Sequence, residues 1–348
     1  MVKSSAPPSK KPGPDLLRAL LRDVSRSFYR TLQILPGPVR RPIGLGYLLA
    51  RATDTIADTE LVPVATRLAA LDQLRKRIAG QHPDALDFRD LIAPTAADSS
   101  GPDAERRLLE RIEEGIQVLG ELAPDDRAAV REVLDIITSG QILDLQRFGN
   151  ATAEHLAALA TADELHDYTY RVAGCVGGFW TRICRRNLFP NATIDDAALL
   201  ADGLSFGQGL QLVNILRDLP KDLRMGRCYL PADALAQIGL RPADLLDPAN
   251  EPRLRPLYRH WLGVAEANLV AGWRYTNRLP FTQWRLRLGC AWPVLIGWQT
   301  LGRLKETNVL DATQRVKISR REVRQILTRT LVRLPFRKAW ERLGPTSR

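Results

Sequence analysis

Residues 205–231 read SFGQGLQLVNILRDLPKDLRMGRCYLP. Phe206, Leu210, Val213 and Leu216 recur there at three- and four-residue steps, which predicts a helix with one apolar face. On the same period Asn214, Asp218 and Asp222 lie four apart and share a face. Arg217 stands beside them, and Arg227 follows a glycine. Two carboxylates stacked toward one point need cations to hold them, and Mg²⁺ with a phosphate-bearing substrate supplies those. Pro220 has no backbone N–H, so the helix is expected to bend or end between the two aspartates, with Asp222 in a turn.

The pattern has a counterpart upstream. Asp54 and Asp58 lie at i and i+4 at the end of a Leu-, Ile-, Ala- and Gly-rich stretch, Val39–Asp58, with Arg51 three residues before the first acid. One such pair is ordinary on a solvated helix face. Two pairs, each beside an arginine, point instead to a shared site for Mg²⁺ ions and diphosphate oxygens. Diphosphate leaves from carbon once its charge is neutralised. A prenyl diphosphate would then give an allylic cation, which requires a dry apolar pocket.

The remaining chain reads as helix after helix. Helices are expected over 15–22, 25–36, 39–58, 66–79, 103–120, 124–148, 163–186, 194–219, 232–238, 254–278, 281–308 and 319–333, with a loop around a short helix over 81–102. Asp144 interrupts an apolar face near the end of 124–148, and Asp163 is a candidate N-cap. Ala173, Gly174, Gly177 and Gly178 leave room for another helix or for a ligand chain. No period-2 strand, repeat or compositional boundary appears. The expected fold is therefore one all-α domain over 15–334, with a polar, disordered tail over 1–14 and a basic tail over 335–348.

Composition narrows the function. The 348 residues carry a net charge of +11, which favours an anionic partner: phosphate, a membrane surface or nucleic acid. The basic stretches hold few aromatics and there is no zinc-finger spacing, so nucleic acid is not expected. The four cysteines form no CxxC pair and read as reduced thiols of a cytoplasmic protein. Neither a signal peptide nor a membrane-spanning run is evident, so the expectation is a soluble cytoplasmic protein, or one attached by its surface only to the inner face of a membrane through the basic C-terminal residues. His82, His155, His166 and His260 have no metal spacing, and the tryptophans at 261, 273, 284, 292 and 298 read as core. No obligate protein partner is evident.

Four segments, in order, resemble the squalene/phytoene synthase family over about residues 23–330. They are SRSFYRTLQILP (25–36), GYLLARATDTIADT (46–59) with its DxxxD, YRVAGCVGG (170–178) and LQLVNILRDLPKDLRMGRCYLP (210–231). The resemblance implies an isoprenoid-synthase-type helical bundle around a central active-site cavity. It also implies that Asp54, Asp58, Asn214, Asp218 and Asp222 bind Mg²⁺ and diphosphate. Ser25, Arg26, Ser27, Arg51, Arg217 and Arg227 would hold diphosphate oxygens. Tyr47 would face the site, and Phe28 would line it and offer its ring face to a cation.

GCAWPVLIGWQTL (289–301) and RVKISRREV (315–323) are similar to late segments of the squalene synthase branch. That branch implies condensation of two farnesyl diphosphates to presqualene diphosphate, then reduction to squalene by NADPH, whose phosphates would meet Lys317 and Arg320. The alternative is a synthase of phytoene, dehydrosqualene or presqualene diphosphate that omits the reductive step. Two positions depart from the pattern. Arg171 stands where the branch often has a tyrosine assigned a proton relay, so that role has no residue at this position, although Tyr170, a candidate catalytic residue, and Tyr168 are near. Lys221 replaces an acid before Asp222.

Overall fold

The computed structural model describes residues 20–22, 24, 28–59, 62–88, 91 and 100–345. Helix α1 (Phe28–Ile34) leads into α2 (Gly37–Asp58), which is entered through Pro36 with Pro38 in its first turn. Leu45, Leu49, Ala52 and Ile56 are fully buried along one side of α2 at helical spacing, as the apolar run predicts. α3 (Val64–Ala79) ends on Gly80, whose φ of 82° suits a residue without a Cβ. The single helix expected over 103–120 is two, α4 (Ser100–Glu110) and α5 (Ile112–Gly120). The chain leaves helical backbone at Arg111, and Leu108, Leu109, Ile112 and Leu119 all reach the core across the break. α6 (Pro124–Phe148) packs along α2 and α3.

The second half is built on α9 (Asp196–Arg224) and α11 (Glu251–Arg278), which lie along each other. Before α9 come α7 (Ala162–Thr169), a π-helical turn (Tyr170–Gly174) and α8 (Cys175–Leu188). The N-cap of α7 is Thr161, whose hydroxyl accepts from the Glu164 N–H, so Asp163 sits inside the first turn rather than capping it. α10 (Ala232–Gln237), α12 (Trp284–Leu304), α13 (Arg320–Arg333) and α14 (Arg337–Glu341) complete the helices. Among the described residues the strands are β1 (Ala157–Ala158) and β2 (Arg227–Cys228), a parallel pair too short for any periodic signal. The all-α expectation holds. No helix among the described residues is long and apolar enough to cross a membrane.

The small residues of 173–178 serve helix packing. A Cβ on Gly177 would fall 1.9 Å from the Gly203 carbonyl oxygen, and one on Gly207 would fall 2.1 Å from that of Ala173. The π turn and α8 therefore meet α9 backbone to backbone. The expected break at Pro220 does not occur. Its missing N–H would have bonded the Leu216 carbonyl, and the buried Tyr258 hydroxyl donates to that oxygen instead, at 2.9 Å. The orphaned acceptor is satisfied, and α9 continues through Asp222 to Arg224.

The stretch read as a basic tail contains α14. Trp340 is 1% exposed, stacks on Trp273 with centroids 5.4 Å apart, and donates from Nε1 to Asn277.

The crowding on α9 gives a stability test. Gly207→Ala should cost about 1–3 kcal/mol, because the methyl must push two backbones apart. Gly263→Ala, on an exposed part of α11 with nothing within 4 Å of its Cβ position, should be neutral or stabilising. Denaturant midpoints at unchanged slope measure both.

Candidate active site

One cavity of about 530 Å³ opens between α2, α6, the π turn with the start of α8, α9 and the segment after it. α2 presents Tyr47, Arg51, Asp54 and Asp58 to it at three- and four-residue steps, so one helix face supplies all four. α6 contributes Gln141 and Asp144 from one face, and α9 contributes Gln211 and Asn214. Ala50, Ala57, Ile137, Leu145, Val172 and Val176 make the apolar wall. One helical segment thus has two uses: its glycines touch α9 while Val172 and Val176 face the cavity.

Arg227 and Tyr229 arrive from beyond α9 by a sharp reversal at Gly226. Its φ is 82°, and a Cβ there would lie 2.5 Å from the Thr152 N–H nitrogen. The β1–β2 pair then holds the segment extended, Ala157 N–H donating to Gly226 and Leu159 N–H to Cys228. In extended backbone Arg227 and Tyr229, two apart, point to the same side, which is the cavity.

Several of the charged groups are already paired. Arg51 bonds Asp54 and, at 2.5 Å, Glu105. Arg217 takes both oxygens of Asp218, at 2.8 and 2.5 Å. Arg227 lies 3.8 Å from Asp144, which also accepts from the Tyr229 hydroxyl at 2.9 Å. The Tyr229 ring stacks on Tyr168 with centroids 4.8 Å apart.

The carboxylates still outweigh the cations that face them. Asp58 is pushed up to about 6, first by desolvation and then by the charge of Asp54. Asp222 rises to about 7 by desolvation and the charge of Asp218, and Asp144 to about 6 by desolvation against the pull of Tyr229 and Arg227. Desolvation also raises Asp54, with Arg51 opposing it. Desolvation lifts the Tyr168 hydroxyl far above its usual range, so it stays protonated.

This donor set fits Mg²⁺. It is all oxygen, its like charges repel one another, and Gln141 Oε1 is buried in the cavity wall without a hydrogen-bond partner. Among the described residues no three acidic, His or Cys side chains converge as a closed metal cage. Mg²⁺ does not need one, since it binds through one or two carboxylates, waters and substrate phosphates.

Of the residues singled out in the sequence, the cavity gathers Tyr47, Arg51, Asp54, Asp58, Asn214 and Arg227 in its lining. Asp222 stands close enough for its charge to reach Asp144 and Tyr168. Arg217 and Asp218 are outside the lining, bonded to each other. Tyr170 is 39% exposed and outside it, whereas Tyr168 lines it. Lys317 and Arg320 are exposed and outside it too. Ser25, Arg26 and Ser27 lie outside the described residues, as does the side chain of Phe28. The structure adds Asp144, Gln141, Gln211 and Tyr229. The acid in the apolar face of α6 signalled the first, and the two-residue spacing from Arg227 was the available signal for the last.

The squalene/phytoene synthase family model matches residues 21–322. The chain belongs to the squalene/phytoene synthase family. A phytoene synthase of Arthrospira platensis is 29% identical, covering 73% of this chain and 72% of its own length. A bifunctional lycopene cyclase/phytoene synthase of Pyrenophora tritici-repentis is 28% identical over 70% of this chain and 39% of its own. The squalene synthase of Saccharomyces cerevisiae is 26% identical over 67% and 48%. The chain spans about two fifths of the length of the first curated relatives it matches.

Solved structures share the family fold. TcSQS with a bound ligand superposes with a TM-score of 0.72 at 19% identity, covering 95% of this chain and 92% of its own. A squalene synthase from Alicyclobacillus acidocaldarius gives 0.58 at 20%, covering 84% and 93%. The squalene/phytoene synthases are prenyltransferase-type enzymes of isoprenoid biosynthesis that use divalent metal and prenyl diphosphates.

Asp144 gives a pH test with a definite sign. Its proton is held more tightly in the fold than in the unfolded chain, where the value is about 3.8. The stabilisation is therefore full below about pH 4 and lost as pH rises through about 6. Asp144→Asn keeps an acceptor for Tyr229 and removes the charge. In metal-free protein it should be more stable than wild type near pH 7.5, by up to roughly 3 kcal/mol, with the gap closing near pH 4. Urea unfolding across that range checks it, and a gap independent of pH would count against the assignment.

Proposed function

We propose that this chain condenses two farnesyl diphosphates head to head into presqualene diphosphate and carries that product on to squalene with NADPH. The carrying observation is one cavity that gathers Arg51, Asp54 and Asp58 of the first Asp-rich segment with Asn214 and Arg227 of the second on its polar side, and an aliphatic wall on the other. Asp54, Asp58, Asn214, Asp218 and Asp222 are the residues to hold Mg²⁺, which when bound neutralises the diphosphate leaving group. Arg51, Arg217 and Arg227 are held in place by carboxylates, and a diphosphate can exchange with those partners without a large side-chain search. Ile137, Leu145, Val172 and Val176 keep water from the cation. Tyr47, Tyr168 and Tyr229 line the same cavity and bring aromatic rings to it. Tyr168 keeps its hydroxyl proton, and Tyr229 hands its own to Asp144 as a hydrogen bond.

The reductive half rests on the likeness of residues 289–301 and 315–323 to squalene synthases. Lys317 and Arg320 lie on the exposed approach to α13, and the Lys317 carbonyl accepts from Arg303. Neither faces the cavity, so they do not fit a cofactor poised over it, and no hydride step is derived from them. The second reading is a synthase of phytoene, dehydrosqualene or presqualene diphosphate that needs no NADPH, and the phytoene synthases among the relatives favour it.

Purified protein incubated with farnesyl or geranylgeranyl diphosphate and Mg²⁺, with and without NADPH, separates the readings by extraction and identification of the lipids. Squalene formed only with NADPH is the expected result. Phytoene from geranylgeranyl diphosphate, or farnesyl products that ignore NADPH, would replace it with the second reading. Asp54→Asn should lower turnover by at least about a hundredfold with the fold intact by circular dichroism. Normal turnover would remove Asp54 from the site.

A further inference from the structure

Few large apolar side chains of the described residues stand in solvent, and most of those that do are at one end of the molecule. Phe281 is 53% exposed, Trp284 41%, Leu331 49%, Val332 63% and Phe336 65%. Phe281 and Trp284 sit at the entry to α12. Leu331 and Val332 occupy the last turn of α13, and Phe336 the corner before α14. Two contacts bring these corners together. The Arg287 guanidinium lies 5.5 Å from the Phe281 ring and 5.4 Å from the Trp340 ring of α14, and Trp292 of α12 donates to Thr330 of α13 at 3.0 Å. Buried Trp273, Trp292 and Trp340 form the floor beneath. The exposed residues are thus the outer side of a built aromatic layer, not the frayed end of a helix.

The charge around them has one sign. Between residues 320 and 342 eight Arg or Lys stand against two Glu. Both acids are engaged, Glu322 with Arg303 and Ser319, and Glu341 with Arg337. Arg329, Arg333, Lys338 and Arg342 make no ion pair among the described residues. Arg329 lies three residues before Val332 and Arg333 directly after it, so cations flank the apolar residues on their own helix. Arg285 covers one face of the Trp284 ring at 5.2 Å.

We infer that this end of the molecule is a membrane-docking surface: Phe281, Trp284, Val332 and Phe336 enter the headgroup region of an anionic bilayer while the surrounding arginines and lysine bind lipid phosphates. The pattern of aromatic and aliphatic side chains ringed by cations matches an interface where apolar chains lie beneath negative headgroups. An uncharged or basic protein partner would leave the ring of cations without counter-charge. The surface belongs to the C-terminal helices and α12, apart from the cavity. The inference therefore stands whichever prenyl product the chain makes. It gives an enzyme of lipid substrates a fixed seat on a lipid phase.

The test uses the full chain and vesicles of phosphatidylcholine with or without phosphatidylglycerol, separated by sedimentation. Wild type should bind only the vesicles that contain phosphatidylglycerol and release as salt rises. Val332→Asp with Phe336→Asp should weaken binding about tenfold or more, and Arg333→Glu with Lys338→Glu about as much. Circular dichroism and turnover of dispersed substrate should be unchanged in both double variants, because none of the four side chains is buried or near the cavity. Absence of wild-type binding to anionic vesicles, or equal binding by the variants, overturns the proposal. So does a lipid-independent dimer of wild type that Val332→Asp with Phe336→Asp dissociates, which would make a second copy of the chain the occupant.

Discussion

Direct backbone contact between the Gly-rich helix and α9 is the constraint on which the active-site geometry depends. Where Gly177 meets the Gly203 carbonyl and Gly207 that of Ala173, no side chain intervenes, so the separation of the two helices is set by backbone radii alone. That fixed separation places Val172 and Val176 beside Gln211 and Asn214 on one cavity. α2 lies across the cavity, locked by a fully buried stripe from Leu45 to Ile56. The acidic groups are therefore brought together by rigid apolar packing, and the repulsion within each pair and of Asp144 with Asp58 and Asp222 has to be absorbed by it.

The cavity tolerates that repulsion because Asp54, Asp218 and Asp144 each have an arginine at hand, and because Asp58 and Asp222 are held partway to protonation. A site in this condition is tense without cation and anion and relaxed with both. The same arginines that quiet the resting carboxylates suit a diphosphate by geometry and charge. Substrate binding then becomes an exchange of ion pairs, in place of the capture of a free anion by disordered side chains.

Much of this could be read from spacing. The two acidic pairs, the buried run of α2 and the small-residue stretch are local patterns, and helical period decides which side chains share a face. What spacing does not carry is which distant groups complete one another. Asp144 showed as an acid in an apolar face, yet its partners Arg227 and Tyr229 come from beyond α9. Pro220 looked like a break because its lost hydrogen bond is local, while the hydroxyl that replaces it belongs to Tyr258 on α11. Trp340 lay in a segment that composition marks as a solvated basic tail, and only its stacking on Trp273 reveals α14. Tyr168 and Tyr170 are two residues apart on a helical stretch and so point to opposite sides, the half-buried ring into the cavity and the other into solvent.

The short parallel pairing of Ala157–Ala158 with Arg227–Cys228 is small, but it joins two parts of the catalytic wall. The first strand runs directly into α7, which carries Tyr168, and the second delivers Arg227 and Tyr229. The two stacked rings are therefore mounted on one strap, and cannot be adjusted separately. A change in the loop at 150–156 would shift both rings in concert, α7 moving with Tyr168, and alter the depth of the cavity while α2, α6 and α9 stayed where they were. The product range of such a scaffold could drift through residues that never touch a substrate.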